Sequence, residues 1–309
     1  MRIVFMGTPE FAVPCLKALV DNGHQVCGVV TQPDKPQGRG HKLTPPPVKV
    51  LANTCGIEVF QPETLKDFAF KAELERLDPE MIVVVAYGKI LPEYILNYPK
   101  YGCINMHASI LPKYRGAGPI QWSVINGEKT TGITSMLMEK GLDTGDMLLK
   151  CETAIGEYET AGQLHDRLMV MGAELLIKTV DAAEKGELCP KKQCDEESTY
   201  APMISKETAK IDWTKPARVI SKLICGMNPW PVAHTLYKGE VLKIFVAEVF
   251  GNVKGNCGEI LCADNDGIRV VCGDNTAILL KEVQFAGSKR MQVRDYLNGH
   301  SVDTGEVLV

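Results

Sequence analysis

Asn105 and His107 stand two residues apart in INMHASILPKYRGAGP (residues 104–119), at the end of an apolar run and just before a segment rich in proline, glycine and basic residues. In an extended strand, residues i and i+2 point to the same face, so a strand here presents an amide and an imidazole side by side. A carboxamide N–H can donate to a carbonyl oxygen that is gaining negative charge, and a protonated imidazole can do the same or hand a proton to a leaving group. Neither group has to act as a nucleophile. The pair therefore suits acyl transfer from an external donor to an external acceptor, without a covalent enzyme intermediate. It also calls for a carboxylate to balance the imidazole and take up a proton. Asp143, in the turn KGLDTGD, is the candidate. A lone histidine on a strand is more often a packed core residue; the amide beside it, at the end of a strand, favours the chemical role.

The elements around this pair alternate. Apolar runs at 2–6, 25–30, 57–60, 81–87 and 103–108 are separated by amphipathic stretches such as 11–21 and 64–77. Near-continuous apolar strands with helical crossovers indicate a parallel sheet covered on both faces. The fold class expected is α/β: a doubly wound, mostly parallel, Rossmann-like sheet whose ligands sit outside the carboxyl ends of the strands. Residues 132–150 read as two short strands around a turn, and 160–186 as a long amphipathic helix stopped by Gly186. Composition then shifts to a polar segment with two prolines. Beyond it, a helix over 218–227 precedes short strands with Gly, Asn and Asp turns, the pattern of a small OB-like β-barrel. The expected domains are 1–188, a linker at 189–207, and a β domain over 208–309.

At 309 residues and 45% hydrophobic content the chain can form two ordinary cores. No run approaches the roughly 18 apolar residues of a membrane span. The start, MRIVFMGTPEF, reads as a first strand rather than a targeting peptide, so a cytoplasmic protein with no membrane association is expected. The eleven cysteines are odd in number and spread from Cys15 to Cys272, which points to reduced, buried small hydrophobes. The closest pairs, Cys189/Cys194 and Cys257/Cys262, lack a neighbouring histidine, so no metal is expected. Net charge is −4, and residues 206–309 hold 13 Lys and Arg against 12 Asp and Glu. A nucleic-acid partner must therefore be sought in local patches.

Two such features follow the first two strands. The turn MGTPEFA (6–12) has one glycine where a dinucleotide fingerprint needs three, so NAD is set aside and Thr8 is expected as an N-cap before Pro9. The second strand leads into QPDKPQGRGHKLTPPPVK (32–49), 18 residues with five prolines and a net charge of +3. A βα connection normally takes about 2 to 6 residues. A basic insertion at the ligand edge of the sheet could order on a phosphate backbone, or it could be a solvated loop.

Taken in order, GTPEFA, TQPDKPQGRGHKL, VVVAYGKILP, INMHASILPKYRGAGPIQWSVINGE, TTGITSMLMEKGLDTGDML and KIDWTKPA make the chain resemble the methionyl-tRNA formyltransferase family along nearly its whole length. That resemblance implies transfer of a formyl group from 10-formyltetrahydrofolate to the α-amino group of methionine on initiator tRNA. It implies Asn105, His107 and Asp143 as catalytic residues: the first two would stabilise the oxyanion, and Asp143 would help remove the ammonium proton and position His107. It further implies a folate-binding loop of Ser109, Ile110, Leu111, Pro112, Lys113, Tyr114, Arg115 and Gly116. Val85, Tyr87, Gly88 and Ile90 would line the pterin pocket. Arg39, with Lys35 and Lys42 in the same insertion, would approach the tRNA, and Lys206 could do so from the linker. A monomer is expected.

The Asn/His/Asp set by itself reports the donor and the reaction rather than the acceptor. A transferase acting on a small amine, such as an amino sugar, is the nearest rival, and the basic insertion and separate β domain favour tRNA over it. A non-catalytic folate- or tRNA-binding relative is disfavoured because all three chemical groups are present.

Overall fold

The computed structural model describes residues 1–37 and 42–309. The chain forms two compact units. The first comprises residues 1–116, 132–153 and 165–200, and the second residues 117–131, 154–164 and 201–309.

The first unit is built on a seven-stranded sheet. Its strands are β1 (Arg2–Gly7), β2 (Gln25–Val30), β5 (Val59–Phe60), β6 (Met81–Val85), β7 (Cys103–His107), β8 (Thr130–Leu137) and β9 (Met147–Ala154). The order across the sheet is β5-β2-β1-β6-β7-β8-β9. Strands β5, β2, β1, β6 and β7 run parallel, and β8 is antiparallel to β7. Chain order reverses between β1 and β6, which makes their carboxyl ends the switch point where such sheets bind ligands. Helices α1 (Val13–Asp21), α2 (Pro47–Thr54), α3 (Lys71–Leu77), α4 (Glu93–Leu96) and α6 (Ala161–Lys185) intervene or follow. Ile3, Val4, Phe5 and Met6 are all fully buried, as expected of a central strand covered on both faces. Each such side chain contributes about 1.5–3 kcal/mol of burial.

Several elements are shorter than the apolar pattern predicts. The stretch 64–77 is helical only from Lys71, because Asp67 and Phe68 have left-handed φ of 53° and 59°. Helix α6 ends at Lys185, and Gly186 takes φ 70° while the 186 and 187 amides return to the carbonyls of Ala183 and Ala182, the glycine stop anticipated. The insertion 32–49 contains two short strands and the start of α2. Strands β3 (Lys35–Gln37) and β4 (Lys42–Thr44) pair antiparallel, and Lys49 Nζ forms an ion pair with Asp34 at 2.9 Å.

Thr8 does not cap a helix. A short 3-10 turn (Glu10–Ala12) leads into α1 without a side-chain cap. The Thr8 hydroxyl instead donates to the Tyr87 carbonyl and accepts from the Gln32 amide, each at 3.2 Å. Parallel strands bring the ends of β1, β2 and β6 together, and that tertiary bond wins over the local cap. Gly7 is required by space: a Cβ there would press on Phe5, Ala12 and the Val85 carbonyl.

The second unit contains α5 (Pro119–Ile125), α7 (Ala217–Gly226), α8 (Val293–Leu297) and an antiparallel sheet. Its strands are β10 (Ala233–Tyr237), β11 (Glu240–Asn252), β12 (Ile260–Asp264), β13 (Gly267–Val271), β14 (Thr276–Gln284) and β15 (Met291–Gln292). The order is β10-β11-β14-β13-β12, with β15 on β14. Its core gathers Trp213, Ile220, Ile224, Ile244, Ile278 and Leu280, and the Trp213 indole N–H donates to Thr235 at 3.0 Å. All eleven cysteines are free thiols. Only Cys15, Cys103, Cys225 and Cys272 are buried, which corrects the expectation of a uniformly buried set; Cys55, Cys189, Cys194 and Cys257 are exposed.

Thr8→Val removes both bonds at the meeting of β1, β2 and β6 and leaves the Gln32 amide without its acceptor. It should cost about 1–3 kcal/mol in urea denaturation. A change below about 0.3 kcal/mol would show that the hydroxyl does not hold the strand ends.

Candidate active site

Strand β7 delivers Asn105 and His107 to the carboxyl edge of the first sheet, between β6 and β8, with Asn105 opposite Val84 and Met136 and His107 opposite Thr134. His107 is 5% exposed. Its Nε2 lies 2.8 Å from the Tyr114 carbonyl oxygen. A carbonyl can only accept, so Nε2 carries a hydrogen, and Nδ1 is the nitrogen that can gain or lose one. Nδ1 faces Asp143 Oδ2 at 3.7 Å, near enough for ionic attraction but beyond hydrogen-bond range.

Asp143 gathers the site. Its Oδ1 accepts from Asn105 Nδ2 at 3.4 Å, and its Oδ2 accepts from the Gly116 amide at 2.9 Å. The Asn105 amide carries two hydrogens, and this long bond uses one of them. Asp143 adopts a left-handed φ of 53°, Tyr114 one of 61° and Ala86 one of 46°. Non-glycine residues held there cost of order 1–3 kcal/mol each and persist where the surroundings enforce them, often at functional sites. The structure thus brings together the three residues singled out for chemistry.

The segment Ser109–Gly116 is folded on itself. Ser109, Leu111 and Tyr114 are buried. The Ser109 hydroxyl donates to the Lys113 carbonyl at 2.6 Å, and Thr134 donates to the Ser109 carbonyl at 2.7 Å while accepting from the Leu111 amide at 3.2 Å. Lys150 donates to the Leu111 carbonyl. Ile110 and Pro112 are half-buried and Lys113 is exposed. The Arg115 guanidinium bonds Gln193 Oε1 at 2.9 Å and Asp195 at 2.8 Å. These side chains shape the loop around the Tyr114 carbonyl that holds His107.

On the neighbouring strand, Val85 and Tyr87 are buried, whereas Gly88, with φ 82°, is exposed and Ile90 is 85% exposed. Burial pushes the Tyr87 phenol up to about 12, and its hydroxyl, though buried, has no hydrogen-bond partner. Of the basic residues, Lys35 is exposed on β3 and Lys42 begins β4, whereas Arg39 lies outside the described residues. Lys206 is exposed in the second unit at the start of a 3-10 turn. Among the described residues, no cluster of His, Cys, Asp or Glu is placed to hold a metal ion, and no helix is long and apolar enough to cross a membrane.

Three supporting residues escape a reading by motif. Thr134 links the loop to β8. Thr199 accepts from the Tyr114 amide through its hydroxyl at 2.8 Å and from the Arg115 amide through its carbonyl at 2.9 Å. Gln193 donates to the carbonyls of Asp143 and Gly145. Gln193 and Thr199 come from a polar stretch with no periodicity, and only its hydrogen-bonding side chains could have hinted at a role.

Residues 1–180 match the family model described as formyl transferase, and residues 203–301 match the formyl transferase C-terminal domain. A methionyl-tRNA formyltransferase of Caldanaerobacter subterraneus is 56% identical over 312 residues, spanning all of both chains. One from Alkaliphilus oremlandii is 54% identical, spanning all of this chain and 99% of its own. Among solved structures, an N-formyltransferase from Helicobacter canadensis, crystallised with folinic acid and dTDP-3-aminofucose, superposes with a TM-score of 0.67 at 20% identity over 90% of this chain and 98% of its own. HypX from Aquifex aeolicus, in complex with tetrahydrofolic acid, gives 0.65 at 16% identity over 99% of this chain and 50% of its own; these two likenesses concern the fold alone. With both family models matched in order and more than half of its residues shared with full-length relatives, the chain belongs to the methionyl-tRNA formyltransferases, a family of formyl transferase enzymes.

Proposed function

We propose that the chain transfers a formyl group from 10-formyltetrahydrofolate to the α-amino group of the methionine carried by initiator tRNA, in the cytoplasm, with Asn105, His107 and Asp143 as the catalytic groups. One observation carries the assignment of residues: the amide and the imidazole both turn to a single carboxylate, at the carboxyl edge of a sheet whose switch point is adjacent. Family membership supports the reaction, and the relatives' shared name supports the acceptor.

The residues present fit a folate. Tyr87 keeps a buried hydroxyl that the protein leaves unpaired, and the backbone is left-handed at Ala86 and Gly88, two residues short of the exposed Ile90. Val85 to Ile90 and Ser109 to Gly116 would hold it. When bound, it supplies an activated formyl group on nitrogen.

The chain's own groups then have separate tasks. Asn105 offers an N–H to the carbonyl oxygen as negative charge develops there; losing a donor of this kind costs about 100- to 1,000-fold in rate. His107 has Nε2–H committed to Tyr114, so Nδ1 is the nitrogen that delivers or accepts the proton. Asp143 balances the imidazolium and takes the proton that the methionyl nitrogen loses as that nitrogen, attacking as the amine, bonds to the formyl carbon and displaces the folate nitrogen. Positioning of two large substrates supplies a further share of the barrier reduction. For the acceptor, the basic residues Lys35, Arg39 and Lys42, joined by Lys206, supply cations of the kind that neutralise tRNA phosphates. Lys49 is less available, being paired with Asp34.

His107→Ala should lower the single-turnover formylation rate by at least about 100-fold while the protein still binds charged initiator tRNA. A near-normal rate would remove His107 from the chemistry. Raising salt from about 50 to 200 mM should raise KM for methionyl-tRNA at least about tenfold, since each neutralised phosphate releases counterions. Replacing Lys35, Arg39 and Lys42 with alanine should flatten that dependence. Weak salt dependence, together with turnover of a free amino sugar in parallel assays, would instead favour a small-amine acceptor.

A further inference from the structure

We propose that Gln193 is a positioning residue for formyl transfer, holding the Asp143 turn and the Arg115–Gly116 backbone in mutual register through one side-chain amide. The inference rests on Asp143 being a catalytic group.

Both ends of the amide are engaged. Nε2 donates to the carbonyls of Asp143 and Gly145, each at 2.8 Å, and Oε1 accepts from Arg115 Nε at 2.9 Å. Both donor hydrogens are therefore spent on the two carbonyls that bracket Thr144. That turn needs outside support, because Asp143 sits at a left-handed φ of 53°, a conformation that persists only where neighbouring groups enforce it. On one side the turn is tied to β8, where the Leu137 amide donates to the Asp146 carbonyl at 2.9 Å. A Cβ at Gly145 would run into the Leu137 carbonyl, so the turn approaches the strand closely there. On the other side the bonds from Gln193 hold it.

The acceptor end of Gln193 acts on the second support of the carboxylate. Arg115 immediately precedes Gly116, whose amide donates to Asp143 Oδ2 at 2.9 Å. One amide thus fixes the backbone of Asp143 and, through Arg115, the N–H that orients its carboxylate. Gln193 is itself anchored on both sides: Lys191 and Met147 exchange backbone hydrogen bonds at 2.8 Å, and Thr199 holds the amides of Tyr114 and Arg115. The cross-link is short and anchored at each end, and it touches neither Asn105 nor His107 directly. Its effect on the reaction passes through Asp143.

The two ends of the amide can be separated experimentally. Gln193→Glu keeps an acceptor for Arg115 and loses both donors, whereas Gln193→Met keeps the length and loses everything polar. Steady-state formylation of methionyl-tRNA is measured for each, with thermal melting as the check on folding. Misplacement on the scale of 1 Å costs up to about 100-fold, so both variants should lose kcat by about tenfold or more. In both variants Arg115 keeps its bonds to Asp195 and Thr199, so KM for 10-formyltetrahydrofolate should stay close to that of the parent and the loss should fall on kcat. In an Asp143→Asn background, Gln193→Met should add less than about a twofold loss, since residues acting as a unit are not additive. A kcat for Gln193→Met within about twofold of the parent, or losses that multiply in the double variant, would overturn the proposal. If Asp143→Asn alone turned over normally, the catalytic reading of Asp143 would fail instead, which is a separate result from a slow Asp143→Asn beside a fast Gln193→Met. Should Gln193→Met not fold, Gln193→Glu carries the same kcat and double-variant tests.

Discussion

The hydrogen bond from His107 Nε2 to the Tyr114 carbonyl is the constraint on which the site depends. It decides which nitrogen carries a hydrogen permanently and which is left for proton movement. Everything near it serves to keep that carbonyl in place. Tyr114 is held at a left-handed φ, its amide is tied to Thr199, and the loop leading to it is closed by Ser109 and Thr134. Were the carbonyl to swing away, either nitrogen could carry the proton, and the face that His107 turns to Asp143 would no longer be defined.

The carboxylate is held with similar care. Asp143 accepts an amide N–H from Gly116 and a weaker one from Asn105, and its backbone is pinned through its own carbonyl and that of Gly145. A carboxylate in such a setting cannot rotate freely between partners, so it can balance the imidazole and receive a proton without a reorganisation step. Strain in the left-handed residues is offset by hydrogen bonds supplied from other parts of the first unit. The rigid sheet fixes Asn105 and His107, and loops fix their partners; this division of labour is common where binding and catalysis sit on a stable scaffold.

What the sequence showed and what it hid follow the same logic. Strand periodicity is local, so the shared face of Asn105 and His107 could be read from two positions. The doubly wound parallel sheet followed from the alternation of apolar runs and helical crossovers, but not the place where its strand order reverses, which depends on pairing between distant strands. Asp143 could be named from its turn and the family motif, but not its left-handed backbone. Thr8 was assigned to a cap because capping is a local rule; in the folded chain its hydroxyl bonds residues 24 and 79 positions away. Gln193 was invisible for a related reason. Its partners lie 48 to 78 residues back in the chain, and a polar segment without periodicity looks the same whether its side chains meet water or carbonyls.

The fold is shared with an N-formyltransferase crystallised with dTDP-3-aminofucose, at 20% identity, and in this chain it carries the amide–imidazole–carboxylate cluster. The cluster itself makes a claim that can be tested without any substrate. In protein labelled with 15N in its histidine rings, the His107 signals, assigned by their absence in His107→Gln, report which nitrogen bears hydrogen across the pH range. The expected result is a neutral ring that carries its hydrogen on Nε2, facing the Tyr114 carbonyl, in the parent and in Asp143→Asn alike. A neutral ring protonated on Nδ1 would contradict the assignment of proton movement to the face that meets Asp143.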